Sequence, residues 1–299
     1  MHGFEGIWIP LVTPFAGDRI DHAALKRLVV HLSQRGVAGF VVCGSTGEAG
    51  ALEGDEPLAL LRSVVDAAGE RPVVMGISAV TPREALAAMR VCAGLRPAGF
   101  LVTAPPYVRP SQRGVHDFFV EVADAAPAPL VLYDIPARTG VRMETATMLA
   151  LAAHPNIVAV KDCSGDPDHV EALLADGRLR VLAGDDHRLF ATLCCGGHGA
   201  VAASAHLRPD LFVALHRAIA AGALAEARGL WRDLWPLTTA LFDEPNPAPV
   251  KAALAESLGL DEAVRAPMTP ASDANRVRVQ GLLGALNARR PVPSSTTRP

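Results

Sequence analysis

Lys161 ends the apolar run IVAVK at 157–161, in a chain whose 28 basic residues include only three lysines. An uncharged lysine amine attacks a carbonyl carbon and forms a Schiff base, chemistry that an arginine does not offer. Burial disfavours the ammonium and pulls its pKa below the usual ~10.4, so a lysine closing a buried strand can act as a nucleophile. On local sequence alone, an ion pair with the neighbouring Asp162 is the simpler reading of this position. Neither other lysine has a buried strand context: Lys26 stands mid-helix beside Arg27, and Lys251 follows NPAPV at a helix start.

Other residues of chemical interest stand out by type and place. Tyr107 and Tyr133 are the only two tyrosines, against nine phenylalanines, which points to a use for the two hydroxyls. Each could instead be a core aromatic whose hydroxyl bonds the backbone. Ser45 and Thr46, flanked by Gly44 and Gly47, form a turn able to present two hydroxyls and backbone N–H groups to an anion or an oxyanion. A plain Ser/Thr-rich turn capping the next helix accounts for the stretch equally well. Arg138 offers a planar fork for a carboxylate, or is a surface loop arginine. The run GDDH at 184–187 invites a metal site at Asp185, Asp186 and His187, but helix capping by the aspartates explains it more simply. No metal is expected.

Nearly all of these residues fall where an apolar run gives way to a loop. Those runs are GIWIPLV from Gly6, GFVVCG from Gly39, PVVMGIS from Pro72, GFLVTA from Gly99, PLVLYDI from Pro129, IVAVKD from Ile157, RVLAGD from Arg180 and GAVAAS from Gly199. Amphipathic stretches lie between them, such as DHAALKRLVVHLSQRG, and TPREALAAMRVCAG with a capping box predicted at Thr81 and Glu84. Continuous apolar strands imply burial on both faces, as in a parallel sheet. The eight βα units predict an α/β fold, a closed (β/α)8 TIM barrel with its active site at the C-terminal strand ends.

After SAHLRPDL only helix patterns continue, at 208–221, 223–242, 247–258 and about 273–288. The expected organisation is a catalytic barrel over 1–222, a C-terminal helical domain over 223–288 and a disordered tail over 289–299. Half the residues are hydrophobic and the net charge is −3, which gives no footprint for nucleic acid or an anionic membrane. Without a signal sequence or an apolar span, the protein is expected in the cytoplasm. Five cysteines, at 43, 92, 163, 194 and 195, suit a reduced compartment and are expected to be small buried hydrophobes.

The stretches GSTGEAGAL, APPYVRPSQ, YDIPARTG, VAVKD and NPAPVKAAL resemble, in order and spacing, the dihydrodipicolinate synthase and N-acetylneuraminate lyase family from about Gly6 to Gly259. The resemblance implies a barrel with a C-terminal helical domain, a homotetramer or homodimer, and a lysine Schiff base formed with pyruvate. It makes Lys161 the imine-forming amine and Tyr133 the phenol that relays protons beside it. Ser45 matches the hydroxyl linking Tyr133 to Tyr107, which reaches in from a neighbouring subunit. Thr46 matches the pyruvate carboxylate site, Arg138 the holder of the second substrate's carboxylate, and Gly184 and Val201 the walls of the pyruvate pocket.

RTG after YDIPA and the late NPAPVK resemble the synthase branch, which implies condensation of pyruvate with L-aspartate 4-semialdehyde in lysine and diaminopimelate biosynthesis. No cofactor is implied, because the imine is the electron sink. Alternatives are a Schiff-base aldolase for N-acetylneuraminate or a 2-keto-3-deoxy sugar acid, a non-catalytic metabolite-binding paralogue, and a metal-dependent aldolase resting on GDDH. Against the family pattern, Ser45 replaces a common threonine, and Asp134 and His206 each replace an asparagine, which leaves the acceptor open. Where lysine-inhibited members carry groups that grip an amino acid, this chain has Gly54, Pro57, Val80 and Pro106, so little inhibition by lysine is expected.

Overall fold

The computed structural model describes residues 3–291. Eight parallel strands close into a barrel: β1 (Gly6–Pro10), β2 (Gly39–Val42), β3 (Val73–Ile77), β4 (Gly99–Thr103), β5 (Leu130–Asp134), β6 (Ile157–Asp162), β7 (Arg180–Ala183) and β8 (Gly199–Val201). They are the eight apolar runs of the sequence. Each is followed by a helix: α1 (His22–Ser33), α2 (Glu56–Ala68), α3 (Pro82–Cys92), α4 (Gln112–Ala125), α5 (Thr145–Leu151), α6 (Pro167–Asp176), α7 (Leu189–Cys194) and α8 (Pro209–Ala220). The Thr81 and Glu84 capping box opens α3 as predicted.

Successive side chains on a strand point to opposite faces, and here both faces are buried. Trp8, Val41, Val74, Leu101, Val131, Tyr133, Ala159, Leu182 and Val201 fill the barrel, with Phe4 stacked on Trp8. Their neighbours along the strands, among them Ile7, Ile9, Phe40, Val42, Leu130, Leu132, Val160 and Val181, pack outward against the helices. Gly39 makes room for the largest interior ring, since a Cβ there would lie 2.4 Å from Trp8. The alternation also sets the direction of the polar strand ends. Lys161 follows Ala159 inward, whereas Asp134 and Asp162 turn outward.

Beyond α8 come α9 (Leu224–Ala240), α10 (Ala248–Leu258) and α11 (Asp273–Arg289), close to the expected ranges. Helix α9 packs on α8, α11 packs on both α9 and α10, and α10 also packs against the turn at Ser204–His206. That last contact returns the C-terminal helices to the site end of the barrel. The last helix takes in Arg289, and residues 292–299 of the expected tail lie outside the described residues. No helix among the described residues is long and apolar enough to cross a membrane.

One expectation about single residues is corrected. Cys43 and Cys92 are buried as expected and Cys163 is half-buried, but Cys194 and Cys195 are exposed, because α7 ends there in a solvent-facing turn. Lys251 is among the most buried side chains of the chain, because α10 lies with nearly its whole first two turns against its surroundings.

Candidate active site

At the C-terminal mouth of the barrel, Ser45, Thr46, Tyr133, Arg138, Lys161, Gly184 and Val201 line one cavity of about 450 Å³. Seven of the eight residues to which the family resemblance gives a role therefore meet. Strands β5 and β6 place Tyr133 directly opposite Lys161 in register, and the lysine Nζ sits 4.2 Å from the centre of the phenol ring. The Tyr133 hydroxyl is 3.4 Å from Ser45 Oγ, and either can donate. No ion pair joins Lys161 to Asp162, whose carboxylate turns outward and accepts from the Ser164 N–H at 3.2 Å. Gly184 permits this arrangement: a Cβ there would stand 2.7 Å from Lys161 Cγ and 2.5 Å from Cys163 Sγ.

The charge on the amine departs from expectation. Burial pulls the Lys161 pKa down, but Tyr133, Cys163 and Asp186 favour the ammonium, and the net direction is upward. The strand end is buried but not apolar, since a phenol and a carboxylate face the nitrogen. The resting lysine therefore holds its proton and must give it up before attack. Cys163 is no rival nucleophile, because burial pushes its thiol up to about 12.

Arg138 stands exposed at the rim, on the helical turn Pro136–Thr139. Among the described residues no carboxylate pairs with it, so its fork is available to a substrate. Tyr107 is apart from the cavity. It is 92% exposed, on a loop where its own φ is +73° and that of Arg109 is +49°. A second cavity of about 640 Å³ adjoins the first and shares Ser45, Tyr133 and Arg138 with it.

A model of the Dihydrodipicolinate synthetase family matches residues 3–286. The chain belongs to that family. It is 39% identical over 292 residues to the 4-hydroxy-tetrahydrodipicolinate synthase of Sorangium cellulosum, covering 96% of this chain and 97% of that one. To the synthase of the same name from Thermomicrobium roseum it is 40% identical over 285 residues, covering 94% of each. Its fold is similar to a crystal structure of the chloride-inhibited dihydrodipicolinate synthase of Acinetobacter baumannii in complex with pyruvate, with a TM-score of 0.92 and 30% identity, over 95% of this chain and 99% of that one.

In this member of the dihydrodipicolinate synthetase family, residues from far along the chain brace the Ser45–Thr46 turn. Asn246 Nδ2 donates to Thr46 Oγ1 at 2.9 Å, and Thr13 Oγ1 donates to the Gly47 carbonyl at 2.7 Å. Glu48, with φ +56°, turns its carboxylate inward to meet Lys251 Nζ at 2.7 Å, while its other oxygen accepts from the Arg265 N–H at 2.9 Å. Glu48 and Lys251 lie in the stretches GSTGEAGAL and NPAPVKAAL, neither of which assigns them a role. Their partnership spans about two hundred residues and has no local signal. The sequence offers Asp186 as a cap or a metal ligand; in the structure it is buried beside the cavity and accepts from the Ser204 hydroxyl and N–H and from the Ala203 N–H. Asp185 does cap, accepting from the His187 N–H at 3.0 Å.

The two departures from asparagine prove to be set back from the cavity. Asp134 faces outward, accepts from the Met143 N–H at 3.3 Å, and burial pushes its carboxyl up to about 7. His206 is buried, donates from Nδ1 to the Ala203 carbonyl at 2.8 Å and accepts the Val12 N–H at Nε2, 3.3 Å away. Burial lowers its pKa to about 4. The folded state thus holds His206 neutral while the unfolded chain protonates it from the ordinary ~6.5 downward. Its stability contribution is complete above ~6.5, falls as the pH drops toward the folded value, and levels off below it. Comparing urea midpoints with His206→Asn from pH 7 to pH 4, we expect wild type to lose on the order of 3 kcal/mol relative to the variant. An unchanged gap would show that His206 carries a proton in the folded protein.

Proposed function

We propose that this chain is a 4-hydroxy-tetrahydrodipicolinate synthase, condensing pyruvate with L-aspartate 4-semialdehyde. The observation that carries the reading is the Lys161 amine, buried inside the barrel mouth 4.2 Å from the Tyr133 ring. Freed of its proton through the Tyr133 and Ser45 hydroxyls, Lys161 attacks the ketone carbon of pyruvate and loses water to give an imine. Loss of a methyl proton yields the enamine. The enamine carbon adds to the aldehyde, whose oxygen takes up a proton. The acceptor's own amine then attacks the imine carbon and displaces Lys161, closing the ring. Thr46 and the adjacent backbone hold the pyruvate carboxylate, Gly184 and Val201 wall its pocket, and the unpaired Arg138 fork binds the carboxylate of the acceptor. That fork favours an amino-acid aldehyde over a sugar acid. No metal or organic cofactor enters these steps.

Exposed Tyr107 fits a role in trans, completing the Tyr133–Ser45 chain of a neighbouring subunit in a homodimer or homotetramer. Borohydride reduction in the presence of pyruvate, with mass mapping, should place an adduct on Lys161. A parallel assay should show turnover of aspartate semialdehyde and none of N-acetylneuraminate; the reverse pattern would remove the assignment. We also expect sub-millimolar lysine to leave the rate unchanged. Pro57 and Pro106 line the second cavity with apolar surface where an amino acid's charged ends would need partners. Half-inhibition in that range would refute this.

A further inference from the structure

Asp134 and Asp162 end neighbouring strands in register. Since Tyr133 and Lys161 turn into the barrel, the two carboxylates turn outward and meet His169, in the first turn of α6. An oxygen from each aspartate and a ring nitrogen of His169 lie within 4.8 Å of one another, and all three residues are buried. Among the described residues no hydrogen bond joins any two of them. Thr145 Oγ1 lies 2.8 Å from His169 Nδ1 and fixes the ring. His169 Nε2 and Asp134 Oδ2 are both buried without a hydrogen-bond partner, a condition that costs ~1–3 kcal/mol for each such atom.

We propose that Asp134, Asp162 and His169 bind a divalent transition ion of the zinc class on the outer side of β5 and β6, back to back with the reacting residues. Calcium seeks six to eight oxygens, whereas a set of two carboxylates and one imidazole suits zinc and its neighbours. Donor atoms ~2.0–2.2 Å from a tetrahedral zinc lie about 3.5 Å apart, a modest contraction of the spacing seen here. An imidazole whose second nitrogen is already held is also the usual state of a metal-binding histidine. Two carboxylates balance the dication. Arg142 faces the same group but is paired with Asp166, and Arg188 faces Asp162 from the next strand end. The ion ties β5, β6 and α6 together; it lies on the face away from the cavity and has no part in the imine chemistry. The inference stands independently of the reaction assigned above.

Zinc titration of chelator-treated protein carrying Cys194→Ser and Cys195→Ser, which removes the exposed thiols, tests the site. We expect one equivalent to be retained on dialysis and to raise Tm. Cobalt in its place should give visible d–d bands without thiolate charge transfer. Asp134→Asn and His169→Gln should each weaken zinc binding at least ~10-fold, with circular dichroism confirming the fold. If Asp134→Asn fails to fold, His169→Gln decides alone. No stoichiometric zinc on the protein without its two exposed thiols, or uptake unchanged by His169→Gln, overturns the proposal.

Discussion

Lys161→Ala is expected to abolish the borohydride-trapped pyruvate adduct and to lower kcat/KM by at least ~10³-fold, a loss of about 4 kcal/mol in transition-state stabilisation. The reason is specific to the geometry. Cys163 is held as a thiol, Arg138 does not form imines, and Lys251 is committed to Glu48, so no other group in the cavity can replace the amine. Tyr133→Phe supplies the contrast. Removing the hydroxyl that faces Ser45 should cost ~10²–10⁴-fold in rate, as expected for a lost proton relay, while the adduct on Lys161 still forms under long incubation. Because the surroundings of Lys161 favour the ammonium, Tyr133→Phe should slow adduct formation itself, and single-turnover trapping with pyruvate alone would measure that. An adduct that forms as fast without the phenol would show that the proton leaves by another route.

Lys251→Met is expected to cost ~3–5 kcal/mol of stability, read as a lowered urea midpoint, because it leaves the Glu48 carboxylate buried without its counterion. The two side chains are 1% and 2% exposed, and Lys251 Nζ also lies 4.2 Å over the Phe15 ring. An exposed pair would give ~0–1 kcal/mol instead. Adding Glu48→Gln should recover most of the loss, since replacing both charges removes the stranded one. The pair also fixes the turn bearing Ser45 and Thr46. The single variant should therefore raise KM for pyruvate more than it lowers kcat, and Asn246→Ala, which frees Thr46 Oγ1, should do the same with little effect on stability. A single variant as stable as wild type would show that the carboxylate finds water or a proton and that burial of this pair does not govern the turn.

The sequence alone determined the eight strands, because each is a continuous apolar run set between helices of 3.6-residue period. It also determined that Lys161, Tyr133, Ser45, Thr46 and Arg138 stand at strand ends, since closure of the barrel brings such ends to one rim whatever the details of packing. Tertiary structure decided what no local pattern encodes. Strand alternation turned Asp162 away from Lys161 and toward His169, so the adjacent pair in sequence is not a pair in space. Folding of α10 back onto the barrel joined Lys251 to Glu48 and Asn246 to Thr46, contacts 203 and 200 residues apart along the chain. The protonation of Lys161 likewise depends on which groups face it. Desolvation can be read from an apolar strand, but the opposing influence of Tyr133 and Asp186 arises only when separate strands bring them within reach of the same nitrogen.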